Sequence, residues 1–287
     1  MILPQYPVYV PSKGRATTPV TASFLLRDRV PFFLVVEPRE EETYRLAVPD
    51  AELLILPEND QGLVFARNWI REHSSPFARH WQLDDNIRGL LRWWKGCRIP
   101  CDAGLALRSC EDFTDRYENI AIAGLNYEMF ATSVSRDPPF RLNCHVYSIS
   151  LIDNSIPYHW RLAYNDDTDL CLQALAGGWC TVQLNAFLAS KIRTMALSGG
   201  NTDDLYQGDG RCVMSRTLER QWPGVVKTTR RFNRPQHVID WAKFKAPLIR
   251  KADPPPVPDY GIRLVQVADE IRSPELRQLL AEYPQGS

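Results

Sequence analysis

At 287 residues with a hydrophobic fraction of 44%, the chain is long enough for a sizeable core and has the composition of an ordinary globular protein. Its 34 Lys and Arg balance 34 Asp and Glu, which excludes a chain-wide charge for binding polyanions and leaves only local patches to consider. Seven scattered cysteines without paired two-residue spacing, and no apolar run of membrane-spanning length, lead us to expect a cytoplasmic protein with reduced thiols and no membrane partner.

Val8-Tyr9-Val10 reads as a first strand bounded by Pro7 and Pro11. It runs into Ser12-Lys13-Gly14-Arg15 before a helix opened by Thr18-Pro19. A strand, a loop with glycine and two cations, then a helix is the layout of a nucleotide or phosphate contact, although the spacing is not that of a P-loop. Phe32 to Val36 is a second, almost wholly apolar strand ending at Glu37-Pro38, and the acids Glu40 to Glu42 open a helix. Leu53 to Leu56 is a third strand, followed by the turn 58–62 and a helix from Leu63 to His73. Arg79 to Leu83 is a central buried strand that ends abruptly in Asp84-Asp85-Asn86. Ligands bind at strand C-termini in open α/β sheets, so these three are the first candidates for chemistry; their hard oxygens suit magnesium or manganese shared with substrate phosphates. The plainer reading makes them a cap on a helix over Ile87 to Leu91.

Further on, Cys101 to Tyr117 is helical, Asn119 to Gly124 is a strand, 135–140 is a loop over the cleft, and Asn143 to Ile152 alternates as a strand. Asp166, Asp167 and Asp169 open another helix that Gly177-Gly178 stops, and form a second carboxylate cluster able to reach the cleft. Residues 197–210 read as a loop. Between Lys227 and Lys251 eight Lys or Arg meet the single acid Asp240, interleaved with aromatics, which is the footprint of a nucleic-acid backbone site or of a solvated helix face. Residues 253–258 are a stiff proline linker, and Leu264 to Tyr283 form an amphipathic tail suited to docking. This divides the chain into an α/β domain over 1–225, a basic extension over 226–252, and a linker and helical tail over 253–287.

The loop Pro11 to Arg15, the helix carrying Ala66-Arg67-Asn68, the strand ending Leu83-Asp84-Asp85-Asn86 and the acids Asp166-Asp167-Thr168-Asp169-Leu170 together resemble the four landmarks of the GT-A glycosyltransferases. More narrowly, the phrases Val8 to Gly14, Asp60 to Asn68 and Gln82 to Ile87 are similar to the TET-associated glycosyltransferases of bacteriophages, over roughly Val8 to Lys245. The resemblance implies a Rossmann-like, mostly parallel sheet flanked by helices. It also implies transfer of a sugar from a nucleotide-sugar, of the UDP kind, to the hydroxymethyl group of 5-hydroxymethylcytosine in DNA.

Carried over residue by residue, it makes Asp167, with Asp166 beside it, the catalytic base, and Pro11, Ser12, Lys13, Arg15, Glu37, Arg67, Asp84 and Asp85 the donor site. Asp84 and Asn86 become the ligands of a divalent cation, with Asn86 standing where the wider superfamily usually has a second Asp. The same reading gives Lys227, Arg230, Arg231 and Arg234 the DNA phosphates. Three rivals share these residues: a transferase acting on a polysaccharide or protein hydroxyl, a non-catalytic nucleic-acid-binding module on the same fold, and a nucleotidyltransferase.

Overall fold

In the computed structural model, residues 2–132, 137–192, 210–231, 234–256 and 258–260 are described. The chain divides into two units, Met1–Pro255 and Pro256–Ser287, and the break falls inside the proline stretch 253–258. The tail expected over 264–283 lies outside the described residues, as does the loop expected over 197–210 up to its last residue.

The first unit is α/β. Strands β1 (Val8–Pro11), β2 (Phe33–Val36), β3 (Glu52–Ile55) and β4 (Arg79–Leu83) alternate with helices α1 (Val20–Arg27), α2 (Glu41–Ala47) and α3 (Gly62–His73). They form a parallel array in the order β3-β2-β1-β4. Strand β1 shows why its sequence is continuously apolar. Val8 and Val10 pack on one face with Phe24 and Leu25 of α1, while Tyr9 packs on the other with Ala66 and Ile70 of α3. A parallel strand covered on both sides has no solvent face to spend polar residues on.

Beyond β4 the sheet becomes mixed. It continues through β9 (Ile149–Asp153), β7 (Ile120–Tyr127), β10 (Cys180–Lys191), β5 (Ile87–Trp94) and β6 (Cys97–Cys101), with β8 (Phe140–Leu142) paired to β10. Helices α4 (Ala103–Thr114) and α5 (Asp166–Ala176) cover this half. Helix α6 (Gly210–Gln221) and the hairpin of β11 (Val226–Arg231) and β12 (Arg234–Ile239) follow. Val226, Ile239 and Leu218 pack against Leu172 of α5, so the basic interval lies within the first unit rather than on a separate stem.

Three sequence expectations need correction. Ile87 to Leu91 is not a helix but the start of β5, because it pairs with β6 on one side and β10 on the other. The strand expected over Asn143 to Ile152 begins only at Ile149; the preceding residues run as a loop beside the cleft. The first half of the basic interval is a hairpin that ends at Ile239, and Lys243, Lys245, Arg250 and Lys251 follow in a short 3-10 turn and irregular chain, so it is not a helix face.

Strand β7 crosses β9 closely at Gly124. A Cβ there would lie 2.2 Å from the Ile149 carbonyl oxygen and 2.4 Å from Val146 Cγ1. Gly124→Ala therefore forces backbone apart in the core and is expected to cost about 1–3 kcal/mol in urea denaturation.

Candidate active site

The C-terminal ends of β1, β2 and β4 open into a cleft of about 520 Å³, within the range of small-molecule sites. The cleft residues singled out from the sequence line it, Asp169 excepted: Pro11, Ser12, Lys13, Arg15, Glu37, Arg67, Asp84, Asp85, Asn86, Asp166 and Asp167.

The loop after β1 is built before any ligand arrives. Ser12 Oγ donates to Asp85 Oδ2 at 2.9 Å, the Arg15 guanidinium pairs with Asp85 Oδ1, and the Ser12 hydroxyl shares a 2.8 Å hydrogen bond with Tyr44. Asp85 is thus a clasp between β4 and the loop. Burial raises its carboxyl, against the opposing pull of Arg15 and Ser12. Gly14 has φ of 67°, which glycine adopts without strain, and its N–H donates to Glu40 Oε1 at 2.7 Å. At the outer edge Lys13 sits 2.9 Å from Asp60 and 3.2 Å from the buried Glu37, which also faces Arg39 at 3.0 Å. Charged groups of both signs therefore meet at the end of β2.

Asp84 lies deeper. The turn that carries it is pinned by α1: Thr21 Oγ1 donates to the Asp84 carbonyl at 2.7 Å and accepts from Ile87 N–H at 2.8 Å. Each carboxylate oxygen of Asp84 meets a cation, Arg67 at 3.1 Å on Oδ1 and Lys191 at 2.8 Å on Oδ2. Burial alone would raise this carboxyl; Lys191 and Arg67 outweigh it and hold it below the usual range. Arg67 also reaches Asp166, with Nε 2.8 Å from Oδ2 but misaligned for a hydrogen bond, so the contact is an ion pair. One buried guanidinium therefore ties the strand-end acid to the helix-start acid. The neighbouring Asn68 fixes the segment before α5, donating to and accepting from the backbone of Trp160 at 2.8 and 3.1 Å.

At the start of α5 the three acids part company. Asp167 accepts from its neighbour Thr168 N–H at 2.7 Å and from His145 Nε2 at 3.1 Å. Burial pushes Asp167 up, but His145 and then Arg67 override it, leaving its carboxyl well below the ordinary value. Asp166 moves the other way, raised by burial in spite of Arg67 and pushed further by the charges of Asp167 and Asp84. Asp169 does not reach the cleft. It is fully buried and accepts from Arg161 at 2.8 and 3.0 Å, from Trp222 Nε1 at 2.7 Å and from Gln173 at 2.9 Å. It locks α5 to α6 and has no catalytic geometry.

Four groups in the cleft went unread in the sequence: Lys191, His145, Ser148 and His237. Lys191 Nζ donates to Asp84, to Ser148 Oγ at 2.5 Å and to Tyr127 OH at 3.4 Å. It is buried, yet Asp84 and Tyr127 more than offset that burial and hold it firmly cationic. Its signal was present: an apolar strand ending in a charge, the same pattern that exposed Asp84.

The hairpin meets the cleft through one face. The register puts Thr228, Arg230 and His237 on one side and Lys227 on the other, and His237 lines the cleft; the side chains of Arg231 and Arg234 lie outside what is described. Burial lowers the His237 imidazole, helped by the nearby His145. Lys227 and Arg230 are exposed.

Against known families, residues 6–200 match TET-Associated Glycosyltransferase. The chain belongs to that family. No curated protein matches it. As a member of a glycosyltransferase family the transferase acts between a sugar donor and an acceptor. The matched span holds the loop after β1, Asp84, Asp167 and Lys191, whereas Met214 and His237 line the same cleft from beyond it.

The donor set does not fit a resident divalent ion. Such an ion takes carboxylate oxygens, and both those of Asp84 are engaged by protein cations. Among the described residues no three His, Cys, Asp or Glu converge as metal ligands. Asn86 Oδ1 is buried without a hydrogen-bond partner, which leaves one acceptor for a ligand hydroxyl or amide. No helix among the described residues is long and apolar enough to cross a membrane.

Proposed function

We propose that the transferase moves a sugar from a nucleoside diphosphate sugar, of the UDP kind, to the hydroxymethyl group of 5-hydroxymethylcytosine in DNA. The observation that carries this reading is the continuity of the cleft. It joins the donor loop with Lys13 and Arg15 to Asp167 across its floor and ends at His237 of the basic hairpin. The loop after β1, the proposed base and one residue of the hairpin that bears the basic interval thereby border one cavity.

Lys13 and Arg15 attract the diphosphate, and Glu37 at the end of β2 reads ribose or base. Asn86 Oδ1 accepts from a sugar hydroxyl. Asp167 takes the acceptor proton: its carboxylate stays ionised, Oδ1 accepts from the Thr168 N–H and hydroxyl, and Oδ2, oriented by His145, keeps a lone pair for an incoming O–H. Asp166, neighbouring Arg67, orients the floor rather than receiving the proton. Because the cytosine substituent projects into the major groove, the acceptor is reachable without base flipping.

The hairpin cations hold DNA phosphates. Neutralising Lys227 and Arg230 is expected to lower the slope of log K against log salt by about one per lost contact, leaving nucleoside diphosphate affinity unchanged. Equal loss of both affinities would break this division of labour. The reaction itself is tested by nucleoside diphosphate release from a panel of sugar nucleotides. Release is expected with duplexes containing 5-hydroxymethylcytosine and not with unmodified duplexes. Release that ignores the hydroxymethyl group but responds to a polysaccharide or protein hydroxyl would transfer the acceptor assignment to those substrates.

A further inference from the structure

We propose that Lys191, rather than a divalent cation, supplies the positive charge that meets the departing diphosphate. This rests on the reading above that the donor is a nucleoside diphosphate sugar. Strand β10 ends at Lys191. Its last residue pairs with Ile87, and the following Ile192 N–H donates to the Asn86 carbonyl at 2.9 Å, so the strand is stitched directly to the turn bearing Asp84. Lys191 at the end of β10 and Asp84 in the turn after β4 are therefore held together in the cleft by backbone pairing, and neither depends on a ligand for its position.

An ammonium has three hydrogens, and those of Lys191 face Asp84, Ser148 and Tyr127. The first two contacts are short and fix the group. The third, at 3.4 Å to the Tyr127 hydroxyl, is long, and a phosphate oxygen entering the cleft replaces it without disturbing the other two. The ring of Tyr127 lies 5.5 Å from Nζ and keeps a second favourable contact with the charge.

A divalent ion at Asp84 would have to evict this ammonium. Lys191 would then remain in the same buried corner beside a like charge, with only the hydroxyls of Ser148 and Tyr127 as partners, and a buried charge without its counter-ion is strongly unfavourable. Arg67 holds the other Asp84 oxygen, so Asp84 offers no oxygen away from a protein cation.

In the transfer step the bond between the anomeric carbon and the β-phosphate oxygen breaks, and its electron pair stays on the diphosphate. The acceptor hydroxyl oxygen forms the new bond to that carbon, and its proton passes to Asp167. Lys191 pairs with the developing oxyanion and transfers no proton. The products are the glycosylated acceptor, the nucleoside diphosphate and a protonated Asp167 that discharges to solvent.

The test is calorimetric binding of UDP to the full chain in excess EDTA and again in excess manganese. The expected result is an affinity that agrees within about threefold in the two buffers. Lys191→Met should weaken UDP binding by about tenfold or more in both, and Lys191→Arg should retain most of it. Thermal melts of both variants report folding, and the wild-type comparison stands without them. Binding that needs manganese, or tight binding by a folded Lys191→Met protein in EDTA, overturns the lysine assignment and leaves the donor reading in place. Failure of UDP, GDP, ADP and CDP alike to bind in either buffer overturns the donor reading and this inference with it.

Discussion

Replacing Asp167 by asparagine is expected to lower the transfer rate by about 10²–10⁴-fold, the usual worth of a positioned general base, while nucleoside diphosphate affinity stays within about threefold. The amide keeps the shape of the carboxylate and can still accept from Thr168 N–H, but it cannot take the acceptor proton. His145 refines the same prediction. Its Nε2–H stabilises the charged form of Asp167, against burial, which favours the neutral one. Removing the imidazole raises the Asp167 carboxyl, so the acid limb of kcat/KM against pH should move to higher pH in His145→Ala. An unmoved limb, or an Asp167→Asn protein with full turnover, would take the base away from this residue.

The largest structural effect is expected at Arg67. Arg67→Met strips Asp84 of one partner and Asp166 of its only cation pair among the described contacts, leaving buried acids under-compensated. Loss of one side of a buried charge network costs about 3–5 kcal/mol. For a domain of this size that corresponds to a fall in melting temperature of the order of 10 °C. Asp166→Asn placed on the same background should return part of the loss, because the amide no longer needs a cation. A double-mutant cycle by urea denaturation measures that coupling, and strict additivity of the two changes would deny that Arg67 and Asp166 act as a pair.

How much of this was legible in the sequence varied with how each signal arises. Buried parallel strands announce themselves as continuous apolar runs, so β1 and β2 and the charges at their ends were readable, and with them the loop after β1; β4, with Arg79, His80 and Gln82 among its five residues, was readable from the abrupt Asp84-Asp85-Asn86 that follows it. Strand β5 was not. A short apolar run such as Ile87 to Leu91 has no periodicity that separates strand from helix, and its fate was decided by partners β6 and β10, which are distant in sequence or unread. Lys191 was missed with β10, although it repeats the strand-end pattern. Among the helix-start acids, spacing could not tell Asp167 from Asp169. What separates them is that Arg161 and Trp222 close around one, while His145, from a loop some twenty residues upstream, meets the other. The hairpin cations show the same limit: composition revealed a basic interval, and only the register of β11 with β12 sorted Arg230 from Lys227.

The central claim is that this cleft glycosylates a modified cytosine, and nucleoside mass spectrometry tests it most directly. DNA containing 5-hydroxymethylcytosine is incubated with the protein and a panel of sugar nucleotides, digested to nucleosides and weighed. A hexose-sized or N-acetylhexosamine-sized gain on 5-hydroxymethyl-2′-deoxycytidine is expected, absent with Asp167→Asn and absent on unmodified deoxycytidine. A protein that binds and hydrolyses sugar nucleotides yet adds no mass to that nucleoside would contradict it.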